Sequence, residues 1–152
     1  MMRKKGYTLV EMIFVVIFIG ILAAMALPKI NFAIVRKQKA DTVSRKIVTD
    51  LRRARRLAIT EAANNTIGYE LEMVGLSPYA SYQIDNLDPP EATIDTHTID
   101  AEVECTGDTN FKFGPLGNLL GGSGSTLNIA AEGKSYTITV TSSTGMVKCV
   151  ED

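Results

Sequence analysis

The fold is decided by an apolar stretch near the N-terminus, YTLVEMIFVVIFIGILAAMAL, at residues 7–27. Only Thr8 and Glu11 interrupt its apolar character. As an α-helix, its 21 residues extend about 31 Å, which matches the hydrocarbon thickness of a bilayer. Three basic residues, Arg3-Lys4-Lys5, precede it and favour a cytoplasmic N-terminus. The sequence therefore predicts a membrane-spanning helix behind a short basic leader.

Three explanations of this segment compete. Ala24-Met25-Ala26 has the small-residue pattern of a secretory cleavage site, and an uncut membrane anchor is the second explanation. The third rests on Glu11, because an ionised carboxylate in an apolar segment costs about 3 kcal/mol to insert unless a cation accompanies it. The nearest unpaired cation is the α-amino group that cleavage of the Gly6–Tyr7 bond creates.

The run Arg3-Lys4-Lys5-Gly6-Tyr7-Thr8-Leu9-Val10-Glu11 ahead of an apolar helix resembles the type IV prepilin signal. The resemblance implies cleavage after Gly6, N-methylation at Tyr7 and a role for Glu11 in filament assembly. Tyr7 stands where phenylalanine is commonest in that family. Pro28 lies 22 residues beyond Gly6; by itself a proline there ends the helix, whereas the resemblance implies a kink in a helix that continues.

The resemblance also implies partners and a location. The partners are the prepilin peptidase and methyltransferase, other pilin or pseudopilin subunits, an inner-membrane assembly platform and membrane lipid; DNA is not expected. The chain is expected to cross the inner membrane once, with its C-terminal head in the periplasm, before it enters a periplasmic or surface filament.

Beyond the apolar stretch the pattern stays helical. Apolar residues recur at steps of three and four, which places them on one helix face: Ala40, Val43, Ile47, Leu51, Ala54 and Ala58. Asn64-Asn65 is the predicted stop. The predicted organisation is α+β: a leader at residues 1–6, a transmembrane and assembly helix at 7–28, an amphipathic continuation at 29–63, and a small antiparallel β-sheet head at 64–152 packed on the helix.

Charge is divided along the chain. Residues 1–63 hold 13 Lys and Arg against 4 Asp and Glu, and residues 64–152 hold 3 against 13. The basic run Arg52, Arg53, Arg55 and Arg56 is a candidate patch for an anionic partner such as nucleic acid or lipid. The alternative is a solvated face that pairs with the acidic head of its own or a neighbouring subunit.

After Ala63 the sequence changes to short runs of alternating polarity, typical of strands. The predicted strands are Thr66–Met73, Ser81–Ile84, Ile99–Cys105, Asn110–Phe113, Thr126–Ala131, Tyr136–Thr141 and Met146–Val150. Asp85 to Asp95 contains Pro89-Pro90 and several acids and is predicted as an exposed loop.

One segment at the end of the predicted helix and two in the head resemble minor pseudopilins of the GspH/FimT-like group: LRRARRLAI at residues 51–59, FKFGPLG at 111–117 and STGMV at 143–147. This resemblance implies a minor subunit of a type IV pilus-like or type II secretion filament. A major type IV pilin and a DNA-binding minor pilin of an uptake pilus are the alternatives.

The two cysteines, Cys105 and Cys149, both lie in the head. In an extracytoplasmic head they are expected to form a disulfide that ties the last strand to the middle of the sheet; two free thiols are the alternative. Asp100, Glu102 and Glu104, with Asp95 or Asp108, could hold Ca²⁺, although a solvated acidic face is simpler and no metal site is predicted.

The search for catalytic motifs finds none. His97 is the only histidine, and the sequence contains no Cys-x-x-Cys, His-Glu-x-x-His or Gly-x-Ser-x-Gly motif. Gly133-Lys134-Ser135 lacks the first glycine of a nucleotide-binding P-loop, because position 128 is Asn128. We therefore expect neither an enzyme nor a bound cofactor.

Overall fold

The computed structural model describes residues 7–26 and 32–152, so Gly6 and Pro28, predicted as the cleavage site and the kink, lie outside the described residues. The chain divides into two units, Met1–Phe32 and Ala33–Asp152. Helix α1 spans Leu9–Ala26, within the predicted apolar helix. Among the described residues, no helix meets the length and apolarity needed to cross a membrane.

Helix α2 spans Phe32–Thr60 and is amphipathic. The predicted apolar face is confirmed: Ala40, Ile47, Leu51, Ala54 and Ala58 are fully buried, and Val43 packs beside them. The helix ends four residues before the predicted stop. Asn65 instead shapes the turn that follows, because its Oδ1 accepts hydrogen bonds from the backbone N–H groups of Ile67 and Gly68.

The head contains two antiparallel four-stranded sheets, where the sequence predicted one. The first has the order β3-β2-β1-β5 and the second β4-β6-β7-β8. The strands are β1 Tyr69–Val74, β2 Ser81–Asn86, β3 Ala92–Thr98, β4 Glu104–Gly107, β5 Asn110–Phe113, β6 Thr126–Ala131, β7 Lys134–Val140 and β8 Val147–Glu151. The inward side chains of both sheets form one hydrophobic core with the apolar face of α2.

Two predictions for the middle of the head are wrong. The loop predicted to Asp95 contains the start of β3, which pairs with β2 across a register shift at Ile84/Asp85. The strand predicted at Ile99–Cys105 begins only at Glu104. The residues before it form a turn, in which the N–H of Val103 donates to the carbonyl of Asp100 and that of Glu102 to the Asp100 side chain.

The predicted disulfide is also wrong, since Cys105 and Cys149 are both free thiols. Cys105 lies on β4 and Cys149 on β8, the two opposite edges of the second sheet. Two strands separate them, which at about 4.8 Å per strand places their backbones about 14 Å apart. A disulfide needs Cα atoms within about 7 Å.

Candidate functional site

The first turn of α1 carries the residues that the sequence assigned to assembly. Tyr7 lies just before the helix and is exposed, as is Glu11, the helix's single acidic residue. The N–H of Glu11 donates to Thr8 Oγ1 over 3.2 Å, so Thr8 caps the helix. Threonine followed three residues later by glutamate is a capping-box pattern, a signal that the sequence analysis overlooked. Glu11 therefore stands where it can stabilise its own helix and still present a carboxylate to another chain.

The rest of α1 presents apolar side chains on all sides. Leu9, Phe14, Val16 and Phe18 are each at least two-thirds exposed, and none of the described side chains of this helix is buried. Contiguous apolar surface of this extent marks a site of interaction with protein or membrane. The helix thus supplies an association surface with one charged residue at its start.

The basic run on α2 serves mainly to hold the head together. Arg53 forms a 2.8 Å ion pair with Asp95 on β3, and this pairing lowers the pKa of the Asp95 carboxyl. Arg52 donates to the carbonyl of Val147 on β8 over 3.3 Å, while Arg56 is exposed. The alternative in which these arginines pair with their own acidic head is confirmed for Arg53.

Arg55 joins three separate parts of the chain. Its Nε donates to the carbonyls of Gly117 and Thr144 over 3.0 and 3.1 Å. Gly145 beside it adopts a φ of +62°, and a Cβ there would lie 1.9 Å from the Gly117 carbonyl oxygen. Only glycine allows the two loops to approach so closely. The three segments that carry the GspH/FimT-like resemblance therefore meet at one guanidinium group.

A second set of ion pairs fastens the first half of α2. Lys39 lies 2.9 Å from Asp100 and 2.6 Å from Glu102, and Arg36 pairs with Glu102 and Glu132. The pKa of Glu102 is lowered, chiefly by the hydrogen bond from Lys39. Two of the carboxylates considered for Ca²⁺ are thus engaged by cations, and residues 7–26 and 32–152 contain no cluster of three metal-ligating side chains.

His97 lies on β3 rather than in a loop. Its Nε2 is 3.5 Å from Asp50 Oδ2 and 3.4 Å from Asp95 Oδ2. The Tyr82 hydroxyl donates to the same Asp50 oxygen over 2.6 Å, which provides the hydrogen bond that a buried carboxylate needs. This network joins α2 to β2 and β3, a structural role that the sequence did not reveal.

Comparison with known proteins gives partial matches. A fimbrial protein of Dichelobacter nodosus is 34% identical over 107 residues, which are 70% of this chain and 62% of that protein. A type IV major fimbrial protein FimA of the same organism is 54% identical over 41 residues, 27% of this chain and 26% of that protein. Both relatives are named as fimbrial proteins, the second as a type IV major fimbrial protein.

The chain spans 62% of the length of the first relative. No family model matches the chain, and no solved structure gives a significant match. The fold agrees with that of a pilin in combining α-helices with antiparallel sheets. The exposed apolar surface of α1 carries Glu11 in its first turn, and Tyr7 lies just before it.

Proposed function

We propose that the chain is a structural subunit of a type IV pilus-like or type II secretion filament. The observation that carries this proposal is α1, an apolar helix exposed on all sides with a single carboxylate in its first turn. Such a surface requires a partner, and copies of the same helix packed side by side can supply one. The relatives named as fimbrial proteins support the same conclusion.

In this proposal prepilin peptidase cuts after Gly6 and the new amine of Tyr7 is methylated. Glu11 of one subunit then neutralises the Tyr7 amine of a neighbour as α1 packs among other apolar helices. An unpaired charge is costly in such surroundings, so only a correctly staggered neighbour satisfies both groups. The remaining proposed partners are an inner-membrane assembly platform and lipid, with the head in the periplasm.

We propose further that the chain is a minor subunit, because the three segments that resemble minor pseudopilins, one on α2 and two in the head, meet at Arg55. A major pilin is the second candidate, supported by the relative named as a major fimbrial protein. Quantitative mass spectrometry of sheared filaments separates the two, since a major subunit dominates the preparation. The proposal assigns the chain no catalytic reaction.

Substitution of Glu11 tests the assembly step. Glu11→Ala removes both the charge and the capping partner, whereas Glu11→Gln keeps a side chain suited to the capping box and removes only the charge. Both variants should enter the membrane fraction like the parent but fall at least about 10-fold in filaments, because loss of one partner of a buried pair costs about 3–5 kcal/mol.

Thr8→Ala is the matched control, because it removes the cap and leaves the charge; it should assemble like the parent. The measurement is the ratio of subunit in sheared filaments to subunit in membranes, by immunoblot. Normal incorporation of Glu11→Gln would refute the role of the charge.

A further inference from the structure

The exposed side of α2 carries charge of one sign. Asp41 and Asp50, the two acidic residues of this helix, are both turned at least partly inward, whereas its exposed charged residues are all cations. We call the part of this surface formed by Arg45, Lys46, Thr49, Arg52 and Arg56 the basic face. Arg45 pairs with Asp41 on the same helix, and Arg52 donates to the carbonyl of Val147. Lys46 and Arg56, both exposed, remain to attract an anionic surface.

The outer side of the first sheet carries the opposite charge. Side chains alternate along β1, so that Tyr69, Leu71 and Met73 enter the core and Glu70 and Glu72 face outward. Asp85, on β2, pairs with Glu70 across the two strands. Glu91, in the loop just before β3, lines one groove together with Glu70, Glu72 and Asp85. We call Glu70, Glu72, Asp85 and Glu91 the acidic face.

The acidic face is incompletely neutralised. Within the part of the chain that the structure describes, the cation paired with this face is Lys112, whose Nζ is 3.7 Å from Glu70. The Glu70 side chain is only 10% exposed, and its pKa is raised, chiefly by burial. A further cation brought to this groove would therefore be held favourably.

The two faces match in size and cannot meet within one copy. From Arg45 to Arg56 the helix rises about 16 Å, and a four-stranded sheet is about 14 Å across. The apolar face of α2 packs on the inner side of the sheet, so the basic face and the acidic face point away from each other. A contact between copies is then head-to-tail, and head-to-tail contacts propagate into rings or filaments.

We propose that the basic face of one copy docks on the acidic face of the next. This inference rests on the proposed function in its second form, in which the chain is the major subunit, because a major subunit has further copies of itself as neighbours in the filament. It supplies a second contact, between heads, for that filament. Charge complementarity sets the register of such contacts and disfavours like-charged alternatives. The occupant of the basic face is thus a second copy of this chain rather than an anionic lipid or a nucleic acid.

The test places a photoreactive amino acid at Thr49, at the centre of the basic face, in the full chain expressed with a filament assembly machinery. Irradiation of membranes should cross-link Thr49 to β1 or β2 of a second copy, as identified by mass spectrometry of the joined peptides. The same group at Thr139, exposed on the second sheet, is the control and should not reach β1 or β2.

Charge reversal makes the test specific. Lys46→Glu with Arg56→Glu should reduce the Thr49 cross-link at least about 10-fold, as should Glu72→Arg with Glu91→Arg, because like charges at an interface cost several kcal/mol. Co-expression of the two reversed chains should restore the cross-link between them. All four positions are exposed, so reversal should leave the fold intact, and the circular dichroism of each purified chain checks this.

Several results would overturn the inference: no cross-link to a second copy, a cross-link to lipid or nucleic acid, a cross-link to a part of the second copy outside β1 and β2, or reversed chains that cross-link like the parent. The proposed function is assessed separately in the same samples by cleavage after Gly6. A cut chain whose Thr49 contacts lie elsewhere contradicts only the docking of the two faces. An uncut chain in the presence of the peptidase contradicts the proposed processing, whatever Thr49 contacts.

Discussion

At the scale of single residues, Arg55 connects α2 to two loops of the head through hydrogen bonds to their backbone carbonyls. The loops around Gly117 and Gly145 approach too closely for any side chain between them, so apolar packing cannot join them. The guanidinium group reaches both backbones from α2 instead. Arg56, the next residue in sequence, is exposed. The same substitution at Arg55 and at Arg56 therefore separates the hydrogen bonds of Arg55 from the general effect of removing an arginine from this helix.

Arg55→Ala should lower the free energy of unfolding by about 1–3 kcal/mol, because hydrogen bonds from a charged donor are lost and two carbonyls are left unpaired. Arg56→Ala, at an exposed position one residue further on, should change it by less than about 0.5 kcal/mol. Urea unfolding of the detergent-solubilised chain, followed by circular dichroism, measures both. Equal effects of the two substitutions would contradict the role of Arg55.

The two thiols should differ in reactivity. Cys105 is fully buried, and burial raises its pKa to about 12, whereas Cys149 is exposed. A maleimide should therefore modify Cys149 alone in the folded chain and both cysteines in denaturant. Intact mass counts the added groups. A chain that takes up no maleimide until a reductant is added would contain the disulfide that the structure excludes.

At the scale of secondary structure, ion pairs join α2 to the head. They should make the stability of the folded chain decrease in acid. The pKa values of Asp41, Asp95, Asp100 and Glu102 are all lowered in the folded chain, the first two chiefly by hydrogen bonds from arginines. A lowered pKa contributes stability that is present above the ordinary value, about 4, and is lost as pH falls through the lowered value.

The melting temperature of the chain should accordingly fall as pH decreases from about 5 to about 2. Asp95→Asn should weaken this dependence of the melting temperature on pH. Asparagine has no carboxylate to protonate, so its contact with Arg53 does not change as the pH falls. Thermal unfolding at a series of pH values, in constant salt, measures the slope for both chains. An unchanged slope in Asp95→Asn would show that the pair with Arg53 contributes nothing to it.

The elements that sequence predicted well are those governed by local pattern. The apolar spacing on α2 fixed its buried face, and the strands at Asn110–Phe113 and Thr126–Ala131 have the predicted bounds. β3 was missed because its residues are mostly exposed and lack an alternating apolar pattern. Its place depends on pairing with β2 and on contacts of Asp95 and His97 with α2, which are remote in sequence.

The residues of the candidate site also fall into two groups, those marked by a local sequence pattern and those brought together only by the fold. Tyr7 and Glu11 could be proposed from the sequence because the prepilin-like signal is contiguous, and their roles in processing and assembly stay predictions. The cysteine pairing failed because strand order, with β4 and β8 on opposite edges, cannot be deduced from the positions of two cysteines. The meeting of Arg55 with two loops more than 60 residues away likewise depends on the folded core.

At the scale of the whole molecule, the basic residues before Ala63 and the acidic residues after it are only partly paired with one another. Within the unit Ala33–Asp152, Arg36, Lys39 and Arg53 form ion pairs with acidic residues of the head. The remainder lies on outward surfaces of opposite sign. Together with the exposed apolar helix α1, these surfaces are the ones through which we propose that copies of the chain associate.

The central claim is that the chain is a processed filament subunit, and intact mass with N-terminal sequencing tests it most directly. The chain is expressed with and without an active prepilin peptidase and recovered from membranes. With the peptidase, the chain should begin at Tyr7 and carry one methyl group on its amine. A chain that begins at Leu27, or one that remains uncut in the presence of the peptidase, would contradict its assignment as a processed filament subunit.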